Sequence, residues 1–132
     1  MVQCWMVEWN PQGNGCSNKD NINEILTLLE TEIRADSDLG YTQNSELSSN
    51  TAVQNSGLPA TQTQDATVIF TGGTPVYVSN ASSGSLTITA YEKIGQGVLY
   101  VSGDSNSNHN ANNFNGSDSA IYNGLRYLVI NS

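Results

Sequence analysis

Oxygen-bearing side chains occupy alternate positions in one polar segment, at Asp104, Asn106 and Asn108. Calcium takes roughly six to eight oxygen ligands, and a short loop of this pattern can wrap the ion. The segment is a weak calcium candidate, because His109 stands where such a loop needs glycine and Asn115 where it needs a bidentate glutamate. One alternative is a site in which Asp104, Asn106, Asn108 and His109 hydrogen-bond another ligand. The other is a polar loop whose side chains bond to its own backbone.

Catalysis by these residues needs partners from elsewhere in the chain. His109, the only histidine, would act as a base toward Cys16 or Ser102 if either folded beside it. Glu8 would lie near Asp104 if the strands that precede them were parallel neighbours, and paired carboxylates hydrolyse glycosides or bind metals. The plainer interpretations are a surface histidine and an isolated, solvated glutamate.

Trp9 is the aromatic residue with the most suggestive neighbours, since Asn10, Gln12 and Asn14 follow it. Carbohydrate sites combine an aromatic face with amide side chains. Trp9 is therefore a candidate for stacking against a sugar, and core packing is the alternative for the aromatic residues.

Cys4 and Cys16 are the two cysteines of the chain. In an exported protein, a disulfide between them would tie the first predicted strand to the start of the first helix. Two free thiols are the alternative. Two cysteines without nearby histidines make a poor zinc site, so calcium is the one cofactor that the sequence suggests.

Neutral polar residues dominate the composition of this 132-residue chain, of which only 12% is charged. Cytosolic surfaces rely more on lysine and glutamate, so the composition favours a secreted or cell-surface protein, with a cytoplasmic protein as the alternative. The net charge is −8, and the four basic residues are scattered. This argues against nucleic-acid binding and against attachment to an anionic membrane. No apolar run approaches the roughly 20 residues of a membrane span.

Hydrophobic periodicity indicates which elements position these residues. Apolar residues at helical spacing predict a helix over 21–34 with one apolar stripe. The segment 35–64 has sparse apolar residues and is expected to be weakly structured. The remaining predicted elements are strands at 1–9, 66–71, 75–78, 85–91 and 98–102, and a helix at 117–130.

The strand that precedes Asp104 has the most distinctive pattern. Four consecutive apolar residues, Val98 to Val101, lead through Ser102 and Gly103 to Asp104. Such a run is typical of a strand that is buried on both faces, and open α/β sheets carry their sites at the carboxyl ends of such strands. We therefore expect Asp104 at the rim of a sheet with both parallel and antiparallel strands.

Residues 95–106, GQGVLYVSGDSN, and residues 123–128, NGLRYL, resemble the end of the glutamine-amidotransferase-like superfamily, especially its trehalose-utilisation-protein-like (ThuA-like) branch. The resemblance covers residues 76–132. It implies an α/β fold of flavodoxin or amidotransferase type, with helices flanking a mixed sheet.

The same resemblance argues against amidotransferase activity. Active members carry a cysteine nucleophile on a tight strand-to-helix turn, and neither Cys4 nor Cys16 lies in such a context. They also carry a histidine and, two residues later, a glutamate, where this chain has Ser102 and Asp104. Serine cannot replace imidazole as a base at neutral pH.

These patterns predict a single α/β domain, residues 1–132, that acts as a non-catalytic binding or assembly module of an extracellular or cell-surface protein. Its ligand would be a protein or a carbohydrate. One alternative is a carbohydrate-acting hydrolase that uses Asp104 and Glu8. Another is a calcium-stabilised surface or filament subunit in which strand edges such as Pro75 to Val78 pair between chains.

Overall fold

The computed structural model describes residues 19–39, 43–64, 67–79, 86–103 and 120–131. Its strands form one sheet in which all pairings are antiparallel, in the order β1–β4–β6–β5–β2–β3, with β7 also paired to β6. The elements in these ranges are α1 (Lys19–Leu28), β1 (Arg34–Leu39), β2 (Gln43–Leu47), α2 (Thr51–Gln54), β3 (Thr61–Gln64), β4 (Thr67–Thr71), β5 (Thr74–Ser79), β6 (Thr87–Ile94), β7 (Gly97–Ser102) and α3 (Ala120–Asn131).

The expected α/β fold with a mixed, flavodoxin- or amidotransferase-like sheet is therefore wrong. Connection length gives the physical reason, because parallel neighbours need a crossover of about a dozen or more residues. Gly95 and Gln96 alone join β6 to β7, which is far too short a connection for a crossover. The apolar run of β7 indicates only that both faces of the strand are covered, which an antiparallel strand also achieves.

The hairpin of β6 and β7 depends on the conformation of Gly95. This residue has a φ of 57° and is the first of two turn residues, the position where a type II′ hairpin turn places glycine. Ile94 pairs with Gly97 directly beside the turn, and the register continues without a shift to Thr89 and Ser102.

Helices cover both faces of the sheet and create two hydrophobic cores. The first core lies under α2 and α3, and the second lies under α1. Val98 and Tyr100 of β7 pack against the first core, whereas Leu99 and Val101 pack against the second. The buried members of the first core are Val53, Leu58, Ile69, Val76, Tyr77, Ile88, Tyr91 and Leu128, and those of the second are Leu26, Ile33, Ala35, Phe70 and Ala90.

Two expectations about burial need correction. β7 is half-buried along its whole length, because within the described ranges it pairs with β6 alone. β5, which contains Pro75 to Val78, lies between β6 and β2 and is not an edge strand. Pairing between chains through Pro75 to Val78 is therefore ruled out by the sheet order.

The segment 35–64 is not weakly structured, since it holds most of β1 and all of β2, α2 and β3. β2 and β3 use polar residues in buried positions, which removes the apolar periodicity that signals a strand. Asn50 caps α2, and its Oδ1 accepts a hydrogen bond of 3.1 Å from the backbone N–H of Val53.

The first helix is shorter than predicted. α1 ends at Leu28, after which Glu30 adopts a φ of 57° and turns the chain toward β1. Ile33 is fully buried in the second core as part of this turn, so its apolar character reflects packing and not helical spacing.

Candidate functional site

The residues that the sequence singles out for chemistry lie outside the described residues. Their predicted roles as ligand-binding, calcium-binding, acid–base or disulfide residues therefore stay predictions. They are Asp104, Asn106, Asn108 and His109 of the polar segment, and Glu8, Trp9, Cys4 and Cys16 of the N-terminal segment.

The described strands nevertheless show at which point of the sheet the segment that begins with Asp104 starts. The backbone N–H of Gly103 donates to the carbonyl of Ile88 at 3.0 Å, and the carbonyl of Gly103 accepts from the N–H of Val68 at 3.2 Å. These two hydrogen bonds hold the residue before Asp104 against the starts of both β6 and β4. The backbone directly after β7 is thus held by hydrogen bonds to two neighbouring strands.

Four connections meet the sheet at this same end, namely residues 40–42, 65–66, 80–85 and 104–119. The residues that flank these connections contact each other across strands. Leu39 pairs with Thr67, and Gln43 pairs with Gln64. The backbone N–H of Ser79 donates to the carbonyl of Leu86 at 2.8 Å. We call this region the loop end of the sheet; its flanking residues are Leu39, Gln43, Gln64, Thr67, Ser79, Leu86 and Gly103.

A layer of buried, uncharged polar side chains lies beside the loop end. Ser45 of β2 pairs with Gln62 of β3 on one side and with Ser79 of β5 on the other, and all three are at least 96% buried. The Oγ of Ser45 donates to the carbonyl of Gln62 at 3.4 Å, and Nε2 of the fully buried Gln64 lies 3.5 Å from Oε1 of Gln62. Amides and hydroxyls therefore replace apolar side chains on three neighbouring strands.

A further pair of polar side chains lies on β6 and β7. The Oγ1 of Thr89, which is fully buried, lies at 3.5 Å from the Oγ of Ser102, its cross-strand partner. Ser102 thus has a structural contact in this arrangement. We call the two groups together, Ser45, Gln62, Gln64, Ser79, Thr89 and Ser102, the polar layer.

Most of the polar layer was not predicted from the sequence. Gln62 and Gln64 belong to the segment TQTQ of β3, whose alternation of exposed and buried residues is complete. Because both alternating residue types are polar, hydrophobicity does not reveal the pattern. The alternation of threonine with glutamine is the signal that would have found this strand.

Two buried tyrosines adjoin the first core near β7. The hydroxyl of Tyr77 donates to the carbonyl of Pro59 at 2.6 Å, whereas the buried hydroxyl of Tyr100 has no hydrogen-bond partner among the residues described. Burial raises the pKa of both phenols, and the proximity of Tyr77 raises that of Tyr100 further. Both side chains are therefore protonated at neutral pH and supply neither a base nor an anionic nucleophile.

The described acidic side chains do not form a metal centre. Within residues 19–39, 43–64, 67–79, 86–103 and 120–131, no group of three or more His, Cys, Asp or Glu side chains could hold an ion. Glu92, on β6, instead accepts the backbone N–H of Glu32 at 2.9 and 3.2 Å. This contact fastens the turn before β1 to the sheet, so it is structural.

Comparisons with known proteins do not decide between the hypotheses. None of the helices in the described part of the chain has the length and apolar character needed to cross a bilayer. The resemblance to the ThuA-like branch stays untested, although the fold that it implied is wrong. Searches of protein-family models, of characterised proteins and of solved structures found no match to this chain.

Proposed function

We propose that this chain is a non-catalytic binding module of an extracellular or cell-surface protein, with its ligand surface at the loop end. The observation that carries this proposal is the convergence of four connections at one end of the sheet, beside the polar layer. Loops that a rigid scaffold holds at one end are where β proteins commonly place their binding residues.

The chemistry of this end favours an uncharged polar ligand, and we commit to a neutral oligosaccharide. The connections 80–85 and 104–119 are rich in asparagine and serine, and the polar layer beside them is largely buried and contains no charged side chain. Sugar hydroxyls both donate and accept hydrogen bonds, as amide groups do. The connection 104–119 supplies Asp104, Asn106, Asn108 and His109 in sequence directly after the anchored Gly103.

The non-catalytic part of the proposal rests on the residue types. Ser102 stands where an amidotransferase would need histidine, and its hydroxyl is engaged with Thr89. The competing hydrolase would require Glu8 and Asp104 to lie within about 10 Å of each other across one sugar ring. An oligosaccharide that binds and stays intact supports the binding module, whereas cleavage of the oligosaccharide supports the hydrolase.

The test is to titrate the ¹⁵N-labelled protein with neutral hexasaccharides, namely cellohexaose and maltohexaose, and to follow both the amide shifts and the sugar. We expect one of them to shift the amides of Ser45, Ser79, Ser102 and Gly103 while remaining intact by mass. The exposed turn residue Gln96, at the other end of β7, is the internal control and should not move. Cleavage of either sugar, shifts confined to the Gln96 turn, or no shift at millimolar sugar would overturn the proposal.

Calcium gives a separate outcome in the same samples. A melting temperature raised by calcium and lowered by a chelator would favour the calcium-stabilised subunit, because a ligand that binds only the folded state stabilises it. Unchanged melting, together with oligosaccharide binding, is the result expected for the proposed module.

A further inference from the structure

We propose that Asn23 of α1 closes the outer edge of β1 and so keeps the sheet from pairing there with other chains. This inference goes beyond ligand binding at the loop end and does not rest on it. β1 is the first strand in the order of the described sheet, with β4 as its neighbour on one side. An edge strand presents unpaired N–H and C=O groups, which are a template for association between chains.

The register of β1 and β4 shows which backbone groups of β1 face outward. Val68 of β4 directs its N–H to the carbonyl of Gly103, away from β1. Phe70 lies two residues further along β4, so its backbone groups face the same way, toward Thr87 of β6. Ala35 is the partner of Phe70 on β1, so this pair exchanges no backbone hydrogen bonds. The N–H and C=O groups of Ala35 therefore point outward from the sheet.

The side-chain amide of Asn23 binds both of these outward groups. Its Oδ1 accepts a hydrogen bond of 2.7 Å from the N–H of Ala35, and its Nδ2 donates one of 2.9 Å to the carbonyl of Ala35. A backbone N–H can only donate, so the oxygen of the amide must face it and the orientation of the amide is unambiguous. A residue of an added strand would form the same two bonds. Asn23 therefore takes the place of an added strand.

The end of α1 holds Asn23 in this position. Glu30 has a φ of 57°, and the N–H groups of Glu30 and Thr31 donate to the carbonyls of Thr27 and Leu26 at 3.0 and 3.2 Å. These are the two hydrogen bonds of a Schellman motif, which ends a helix and turns the chain. Leu26 is also buried in the second core. The amide of Asn23 thus reaches β1 from a helix that is held both at its end and along its apolar side.

The next part of β1 is protected in a different way. Between Ala35 and Asp38, two residues of β1 lie opposite a single residue of β4. Such a bulge increases the local twist, and one of the two residues, Asp36, is exposed and adds a charge. Bulges and charges are common protections of sheet edges. Asn23 covers the regular part of the strand before the bulge, where neither protection is present.

The variant that opens this edge is Asn23→Ala. Alanine is the stronger helix former, so α1 should persist while both bonds to Ala35 are lost. Asn50→Ala is the matched control, because Asn50 caps α2 through Val53 and its loss lowers stability without opening a strand edge. Asn23→Lys loses the same two bonds to Ala35 but places a charge at the edge, which should prevent pairing.

The experiment combines sedimentation velocity of the full chain and its variants with amide hydrogen exchange of Ala35, relative to Phe70, at low protein concentration. We expect Asn23→Ala to raise the association constant and the relative exchange rate at least about tenfold, which is about 1.4 kcal/mol. Asn50→Ala should lower the melting temperature by a similar few degrees and change neither quantity. Asn23→Lys should raise the relative exchange rate without raising association.

Three outcomes would overturn the proposal. One is an Ala35 amide that exchanges in the parent as rapidly as the amide of the exposed turn residue Gln96, a result that decides even if Asn23→Ala does not fold. Another is an Asn23→Ala variant that associates no more than the parent. The last is equal association of Asn50→Ala or Asn23→Lys, because an open edge would then not be the cause.

Discussion

Gly103 connects the sheet to the polar segment in which the sequence predicts a ligand-binding site. A Cβ at this position would collide with the carbonyl of Val68 and with Oγ1 of Thr67, so only glycine allows the close approach. At Gly97 a Cβ would meet nothing nearer than the carbonyl oxygen of Ile94 at 3.7 Å. The glycine that begins β7 and the glycine that directly follows it therefore differ sharply in their tolerance of a side chain.

Gly103→Ala is predicted to lower the free energy of unfolding by about 1–3 kcal/mol, the usual cost of forcing a methyl group into a closed space. Gly97→Ala is the matched control and should change it by less than about 0.5 kcal/mol. Urea denaturation measures both. Equal effects of the two substitutions would show that the approach of Gly103 to β4 is not tight in solution.

For single residues, the sequence predicts where a strand ends and which polar side chains follow it better than it predicts which side chains contact each other. The succession of Val98–Val101, Gly103 and Asp104 correctly indicated a strand that ends just before the polar segment. The contacts of Ser45 and Gln62 could not be foreseen, because a buried amide or hydroxyl has no hydrophobic signature and becomes recognisable only beside its cross-strand partner.

At the scale of elements, α3 shows how a helix with an apolar stripe divides its residues between core and surface. Leu128 is fully buried in the first core, whereas its near neighbour Ile130 is 73% exposed. Leu128→Ala should lower the free energy of unfolding by about 2–5 kcal/mol, and Ile130→Ala by less than about 0.5 kcal/mol. Urea denaturation provides the test, and similar losses would contradict the placement of α3 on the sheet.

Whether a helix or strand was predicted correctly depended on how regularly its apolar residues repeat along the sequence. α3, β4, β5, β6 and β7 fall within or close to their predicted ranges, because each has an apolar stripe or alternation, whereas α1 overlaps its predicted range but ends six residues early. β1, β2, α2 and β3 were missed, because they are short and because polar residues take the buried positions of β2 and β3. The predicted direction of strand pairing was also wrong. An apolar run shows that both faces of a strand are covered, but it does not show whether the neighbouring strands are parallel or antiparallel.

At the scale of the whole molecule, the buried tyrosines couple stability to alkaline pH. An unfolded tyrosine ionises near its ordinary pKa of 10.0, whereas burial raises the pKa of Tyr77 and Tyr100 in the folded state. Above pH 10 the unfolded state therefore binds fewer protons than the folded state. Stability is fully present below that pH and declines as the pH rises above it, by up to about 1.4 kcal/mol per pH unit for each tyrosine.

The double substitution Tyr77→Phe with Tyr100→Phe should flatten this decline, as measured by urea denaturation between neutral pH and alkaline pH. The slope is the informative quantity, because Tyr77→Phe also removes the hydrogen bond to Pro59 and so changes stability at every pH. An unchanged slope in the double variant would place the alkaline transition on other groups.

The two ends of the sheet differ in how freely their sequence can vary over evolution. At one end, the two-residue link Gly95–Gln96 sets the register of β6 and β7, so an insertion there would shift every pair behind it. At the loop end, registers are already fixed by contacts inside the sheet, such as Leu39 with Thr67 and Gly103 with Ile88. Insertions and new side chains in residues 80–85 or 104–119 would leave those contacts in place. The molecule therefore has the properties of a display scaffold, in which one end can diversify while the framework stays constant.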